Sequence, residues 1–362
     1  TILCAVICFF LLRKESKEKT ECFPVDRISL IYWEELLFFL AFLMWTYLAG
    51  FRPAAYGTEK FMDYGFMEAM MRSTTLPARD LWYSEGHINY YYGGQYFAVF
   101  LTKLSHTKVE LTYNLMRTFV AGLAFAMPFS LVYQMMSDRM KGQQKSEKVI
   151  KRLPFAAGFT AGTAVSIAGN MHYVIYAQII PLIEKLTGKE VSSYWFPDAT
   201  RYIGYNPYRE EDRTIHEFPC YSFVLGDLHA HVVNIMFVLL VIALLYVWLR
   251  GVRKKTVPVE TSMKDGKFWK EQLLMPHLLV ISVLLGMFQW TNFWDFVIYY
   301  VVTLGTVLFA NIIRFQGKIK KIIVVTFAQM AEIYLLAYLV ILPFTLQFDT
   351  MVDGIGIAKY HS

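Results

Sequence analysis

The sequence has little cysteine and little charge. Its 362 residues include only Cys4, Cys8, Cys22 and Cys220, with no CxxC pair among them. That leaves no disulfide framework to build a fold on. Cys4 and Cys8 lie in an apolar run and read as packing residues. Charged residues make up 18% of the chain, against roughly 25% in soluble domains. There is no low-complexity segment and no internal repeat, which excludes disordered and solenoid architectures. No cleavable leader pattern opens the chain. It begins at Thr1 inside an apolar run, and we expect it to be a piece of a longer protein.

What is present is apolar. Hydrophobic residues make up 56% of the chain, in recurring runs of roughly 20 residues, the length that crosses a bilayer as a helix. The expected fold is all-α, a polytopic transmembrane helix bundle forming a single transmembrane domain over 1–362. The net charge of +6 does not point to nucleic acid. The basic residues sit in short clusters between apolar runs, as cytoplasmic loops do. Spans are expected at the end of 1–12, then at 30–51, 111–136, 155–170, 218–248, 273–289, 297–313 and 322–346. By alternation the basic clusters at 13–19, 138–152, 250–270 and 314–321 all fall on one side. The run 155–170 is rich in Gly, Ala, Ser and Thr, as closely packed membrane helices are. Glu34 and Glu35 at the entry of 30–51 read as interface residues.

Two long segments, 52–110 and 187–217, fall on the other side. The stretch 57–95 is unusually polar for its surroundings. Within it, 58–73 has helical spacing: Met62, Phe66, Ala69 and Met70 share one face. Glu59 and Asp63 are i and i+4 on another. This predicts an amphipathic helix lying on the membrane surface, ended at Pro77. The run 95–104 is too short to span and predicts a second surface or half-embedded helix. The run 172–186 is expected along the outer face.

Several groups on this face suit chemistry. Glu59, Asp63, Asp80, Glu217, Asp227 and Asp295 are carboxylates near an apolar wall, where a general base can work. Arg201, Arg209 and Arg213 can pair with phosphate. Many of the Tyr and Trp residues are expected to form interface belts, but Tyr90, Tyr91 and Tyr92 are consecutive and cannot all face lipid. The sequence 226–231, GDLHAH, contains a possible metal motif at Asp227, His229 and His231. It runs into the span 218–248, which puts Asp227 and His231 on one side and points His229 away. Three ligands from this stretch alone then converge poorly, and an Asp–His pair inside a polar cavity fits better. Asn292, Trp294 and Asp295 sit at an outer turn, either capping a helix or lining a cavity.

Four ordered stretches, GTEKFMD (57–63), DLWYSEGHINYYYGGQY (80–96), TIHEFPCYSFVLGDLHAH (214–231) and NFWDF (292–296), resemble the YYY-signature membrane proteins over nearly the whole chain. The layout also resembles the GT-C class of membrane glycosyltransferases. There, a span leads to a first outer loop with an acidic motif, then to surface helices and the next span. In place of the class's Asp-Glu pair this chain has Thr58-Glu59, with Asp63 four residues on, and His87 to Tyr92 stands where several relatives have His-Pro-Pro-Leu. The resemblance implies transfer of a sugar from a polyprenyl-phosphate donor to an acceptor (protein, lipid or glycan) at the outer face of the plasma membrane. Glu59 or Asp63 would be the base, with Asp80 beside them. Lys60 with Arg201, Arg209 or Arg213 would stabilise the phosphate. His87, Asn89, Tyr90, Tyr91 and Tyr92 would shape the sugar and acceptor sites. Glu217, Asp227, His229, His231, Asn292, Trp294 and Asp295 would line the same cavity. No cofactor is required by this reading, though a divalent cation fits it. The partners expected are the lipid-linked donor and membrane lipids. The rival readings are a lipid or small-molecule transporter, a membrane metallohydrolase built on the Asp227–His231 motif, and a non-catalytic scaffold.

Overall fold

A computed structural model describes residues 25–141, 143, 146–205, 208, 213–254 and 262–350. The expected span end at 1–12, the basic cluster at 13–19 and Arg209 lie outside the described residues. Within them the chain is helical and contains no strand. Among the described residues, five helices are long and apolar enough to cross a membrane: 28–50 within α1 (Val25–Gly50), α4 (Val109–Met140), α8 (Ala230–Lys254), α11 (Phe293–Phe315) and α12 (Ile319–Thr345). The pair α9 (Gly266–Leu273) and α10 (Pro276–Thr291) makes a sixth if it counts as one span bent by 50°. These helices carry large exposed apolar side chains, among them Phe39 and Tyr47 on α1, Val301 and Phe309 on α11, and Phe327 and Leu335 on α12. So much exposed apolar surface is costly in water and at no disadvantage in lipid. The chain is therefore a multi-pass integral membrane protein.

Two expected spans need correction. The run 155–170 belongs to α5 (Glu147–Ser166), whose first turns carry Glu147, Lys148, Lys151 and Arg152. Those basic turns leave it less apolar than the five long helices above. Its 20 residues still extend about 30 Å, packed along α4. Small residues permit that approach, as expected: a Cβ on Gly158 or Gly162 would come within 2.6 Å of the Phe129 or Phe125 carbonyl. The run 218–248 is not one span either. It divides into α7 (Pro219–Leu225) and α8, with Gly226 in the left-handed region between them.

The two ends of the bundle differ in chemistry. At one end Arg250 pairs with Asp138 at 2.7 Å. At that same end Lys321 lies 4.8 Å from the Phe268 ring and 5.3 Å from the Phe315 ring. These contacts gather the basic segments after α4, α8 and α11 together. At the other end lie α2 (Lys60–Arg72), α3 (Gly93–Leu104), the α7–α8 break and the α10–α11 turn. A core of Trp45, Phe66, Met67, Met70, Tyr113 and Leu228 holds this end. The apolar face of α2 is thus turned into protein, not onto the membrane surface as the amphipathic pattern predicted: Phe66, Ala69 and Met70 are buried against neighbouring helices. Asp63 is buried with them. The short α3 buries Gln95, Ala98, Val99 and Thr102.

Candidate functional site

The α7–α8 break creates the site. Gly226 has φ +80° and ends α7. Glycine adopts this backbone without penalty, and a Cβ here would collide with the Arg117 guanidinium. The Gly226 carbonyl accepts hydrogen bonds from Tyr113 Oη and Arg117, each at 3.3 Å. Arg117 also donates to the carbonyls of Ala49 and Arg52 at 3.3 Å. Reading 111–136 as a plain span overlooks this buried arginine, which ties α1, α4 and the break together.

With the helix interrupted at Asp227, Leu228 and His229, those residues no longer follow helical spacing. The expectation that His229 points away from Asp227 and His231 is therefore overturned. His229 Nε2 lies 3.3 Å from Glu59 Oε2 and 3.9 Å from Asp227 Oδ2. His229 Nδ1 lies 3.4 Å from Glu217 Oε2, and His231 Nε2 lies 3.1 Å from the same oxygen. Glu217, His229 and His231 thus present ligand atoms all within 4.8 Å of one another. Asp227 turns instead to Thr58, whose hydroxyl donates to Asp227 Oδ1 at 2.5 Å. Thr58 has φ +49°, a conformation that a β-branched residue adopts only under strain. Gly57 before it is also left-handed, at φ +81°. These two residues turn the chain so that Glu59 stands at the start of α2 beside the break.

Asp63, one turn into α2, is clamped from two sides. Gln95 Nε2 donates to its Oδ1 at 2.8 Å, and the Leu228 N–H donates to its Oδ2 at 3.2 Å. Gln95 also reaches the Leu228 carbonyl at 3.0 Å. Burial pushes the Asp63 carboxyl up to about 7, against the opposing pull of His229 and the Gln95 hydrogen bond. Burial works against charge on His229 as well. There the Glu217 hydrogen bond and the charge of Asp63 outweigh it and hold the imidazole up at about 9. Burial also pushes Glu217 upward, and hydrogen bonds from His229 and His231 overcome it, leaving the carboxyl well below its usual range. Lys60 is buried beside them, and its ammonium is shifted down by that burial despite the Asp227 charge. Tyr90 packs on Phe66 with ring centroids 5.7 Å apart. Burial, with the charges of Asp63 and Glu59, lifts its phenol to about 12.

The structure thus brings together Glu59, Lys60, Asp63, Tyr90, Glu217, Asp227, His229 and His231. Other sequence candidates lie elsewhere. Asp80 caps its own turn, accepting from the N–H groups of Trp82 and Tyr83 at 2.7 and 2.8 Å. His87 is exposed and forms a backbone bridge with Arg79. Asn89 exchanges hydrogen bonds with the Asp349 backbone at 2.9 and 3.0 Å. Tyr91 stacks on Phe348, and Tyr92 packs edge-on to Trp290 and Phe344. Arg201 sits over the Trp195 ring and donates to the Pro197 carbonyl. Arg213 sits over the rings of Tyr205 and Tyr208. Asn234 and Asn292 donate to Asp295 Oδ2 at 2.6 and 2.9 Å, and Thr291 donates to Asn234. Those bonds lock α8 to the α10–α11 turn one helical turn below His231. Trp294 is exposed.

A cavity of about 990 Å³ adjoins the cluster. Its walls are mostly apolar, with Trp45, Tyr173, Trp195 and Phe223 among them, while Arg52, Thr58 and Arg117 stand at its polar end. Thr58 belongs to both, through its bond to Asp227. A family model described as "Uncharacterized membrane protein (DUF2298)" matches residues 1–362. No curated protein matches the chain, and no solved structure does.

Proposed function

The chain belongs to that family of membrane proteins, and we propose that it transfers a sugar from a polyprenyl-phosphate donor to an acceptor hydroxyl at the outer face of the cell membrane. The observation that carries this reading is the join between an apolar cavity and a carboxylate cluster at one end of the bundle. A lipid-linked sugar has the same two-part character. Its prenyl chain suits walls of Trp45, Tyr173 and Phe223, and its phosphate suits the Arg52 end. The basic clusters gathered at the opposite end favour a cytoplasmic position there, which leaves the site outside.

Glu59 is the base in this reading. Its side chain is 58% exposed and next to His229, whereas those of Asp63 and Asp227 are almost fully buried and cannot touch an acceptor. Glu59 takes the acceptor's proton. The acceptor oxygen forms a bond to the anomeric carbon as the bond from that carbon to the phosphate oxygen breaks. The lipid phosphate leaves with the electron pair, facing Arg52 in the cavity wall. Asp63 and Asp227 are positioning residues: they hold the α7–α8 break and Thr58 around Glu59.

The test is transfer of labelled hexose from a panel of polyprenyl-phosphate sugars in proteoliposomes. The reading expects label to leave the lipid with wild-type protein, and to leave at least about 100-fold more slowly with Glu59→Gln. Equal rates for the two proteins, or no transfer from any donor, would overturn it. A lipid-translocase reading draws on the 50° bend between α9 and α10 and the broken run at Gly226. It predicts movement of intact donor across the bilayer with no bond cleaved, which the same proteoliposomes report.

A further inference from the structure

We infer that Glu217, His229 and His231 form a binding site for one divalent transition-metal ion, of the zinc type. The inference does not depend on the sugar-transfer reading, because it concerns binding of the ion alone. Two imidazoles and one carboxylate are a ligand set that zinc takes in catalytic sites, leaving a further position open. Tetrahedral zinc with ligands at about 2.0–2.1 Å places neighbouring ligand atoms about 3.3 Å apart. Here Glu217 Oε2 lies 3.4 Å from His229 Nδ1 and 3.1 Å from His231 Nε2.

Both imidazoles turn a ring nitrogen to the same Glu217 oxygen, so that three ligand atoms lie within 4.8 Å of one another. The outer contacts are also those of a metal site. With Nδ1 of His229 turned to the ion, its Nε2 faces Glu59 at 3.3 Å, the carboxylate–histidine arrangement that orients ligating imidazoles. Ser222 Oγ donates to Glu217 Oε2 at 3.4 Å, steadying the third ligand. Imidazole with carboxylate favours a transition ion over calcium or magnesium, which prefer all-oxygen sites. The ligand set also differs from the sequence trio: Glu217, twelve residues before His229, takes the place of Asp227, whose Oδ1 is engaged by Thr58.

The experiment uses the purified full chain in detergent, stripped of metal and dialysed against Zn²⁺ alone, with bound metal measured by mass spectrometry. Co²⁺ is the spectroscopic probe. We expect one ion per chain and visible Co²⁺ bands of low-coordinate N/O type. His231→Ala and His229→Ala should each weaken binding at least about 100-fold, and Glu217→Gln, which keeps the side-chain shape, should do the same. His172→Ala, away from the cluster and against Tyr194, should bind normally. Thermal unfolding guards against misfolding: Zn²⁺ should raise the midpoint of wild type and not that of Glu217→Gln. Binding of less than about 0.1 ion per chain, or unchanged binding in His231→Ala and Glu217→Gln, would overturn the assignment.

Discussion

Asp63→Asn should change how stability depends on pH, and the size of the change can be worked out. The Asp63 carboxyl goes from an ordinary 3.8 to about 7 because it is buried beneath α3 and the α7–α8 break. At about 1.4 kcal/mol per pKa unit this is on the order of 4 kcal/mol of proton linkage. The folded pKa lies above the unfolded one, so the folded state holds the proton more tightly. The stabilisation is complete below about pH 4 and is lost as pH rises through about 7. The comparison is made on metal-free protein, in which His229, held at about 9, stays charged across this window. Asparagine does not titrate, and its amide meets donors from both Gln95 and Leu228, losing about 1 kcal/mol of hydrogen bonding. The variant should therefore be slightly less stable than wild type at pH 4 and more stable by about 3 kcal/mol at pH 8. Unfolding in detergent, followed across pH 4–8 for both proteins, measures the gap. A gap that is constant within about 1 kcal/mol, or that moves the other way, would refute the burial and clamping of Asp63 described above.

Three further outcomes are expected. Gly226→Ala should lower stability by about 1 kcal/mol for its left-handed backbone alone, and by more as Arg117 is displaced, with a lower melting midpoint and loss of transfer as the readouts. Asp80→Ala should loosen the turn at Trp82 and Tyr83 by about 1 kcal/mol while leaving transfer within about threefold of wild type, since Asp80 lies outside the cluster. Within the tyrosine triplet, Tyr92→Ala should destabilise by about 3–5 kcal/mol, as Tyr92 is buried against Trp290 and Phe344; Tyr91→Ala, at the rim, should cost visibly less in the same melts.

Apolar run length was enough to locate most of the bundle, because a bilayer fixes the length of a spanning helix. The runs at 30–51, 111–136, 297–313 and 322–346 correspond to α1, α4, α11 and α12. The run 218–248 misled because Phe218 to Leu225 is apolar enough to be joined to the span that follows, so only Gly226 and the polar residues after it hint at a break. The periodicity of 58–73 was real, but a helical stripe says only that its partner is apolar. It does not distinguish lipid from the protein core that covers Phe66 and Met70. Several site residues were visible as ionisable groups on one face. Their grouping followed only from the family resemblance, because the contacts among them depend on where a left-handed glycine turns the chain. Arg117 and Gln95 were missed altogether. A lone arginine inside an apolar run of 26 or more residues is the signal that could have found the first, since such a charge needs buried partners. The second-loop arginines were misjudged for the opposite reason. Free guanidiniums suit phosphate, but those of Arg201 and Arg213 rest on aromatic rings supplied by the same loop.

For the proposed transfer, the carboxylate cluster and the apolar cavity must be two halves of one lipid-phosphate site. Photoaffinity labelling with a polyprenyl phosphate carrying a photoreactive group in its prenyl chain tests it most directly. Crosslinks are expected on the cavity wall, at Tyr173, Trp195 or Phe223, and unlabelled polyprenyl phosphate should compete them away. Crosslinks confined to the separate lipid-facing hollow at Leu304, Leu308 and Phe327, or cavity labelling that the competitor leaves unchanged, would contradict it.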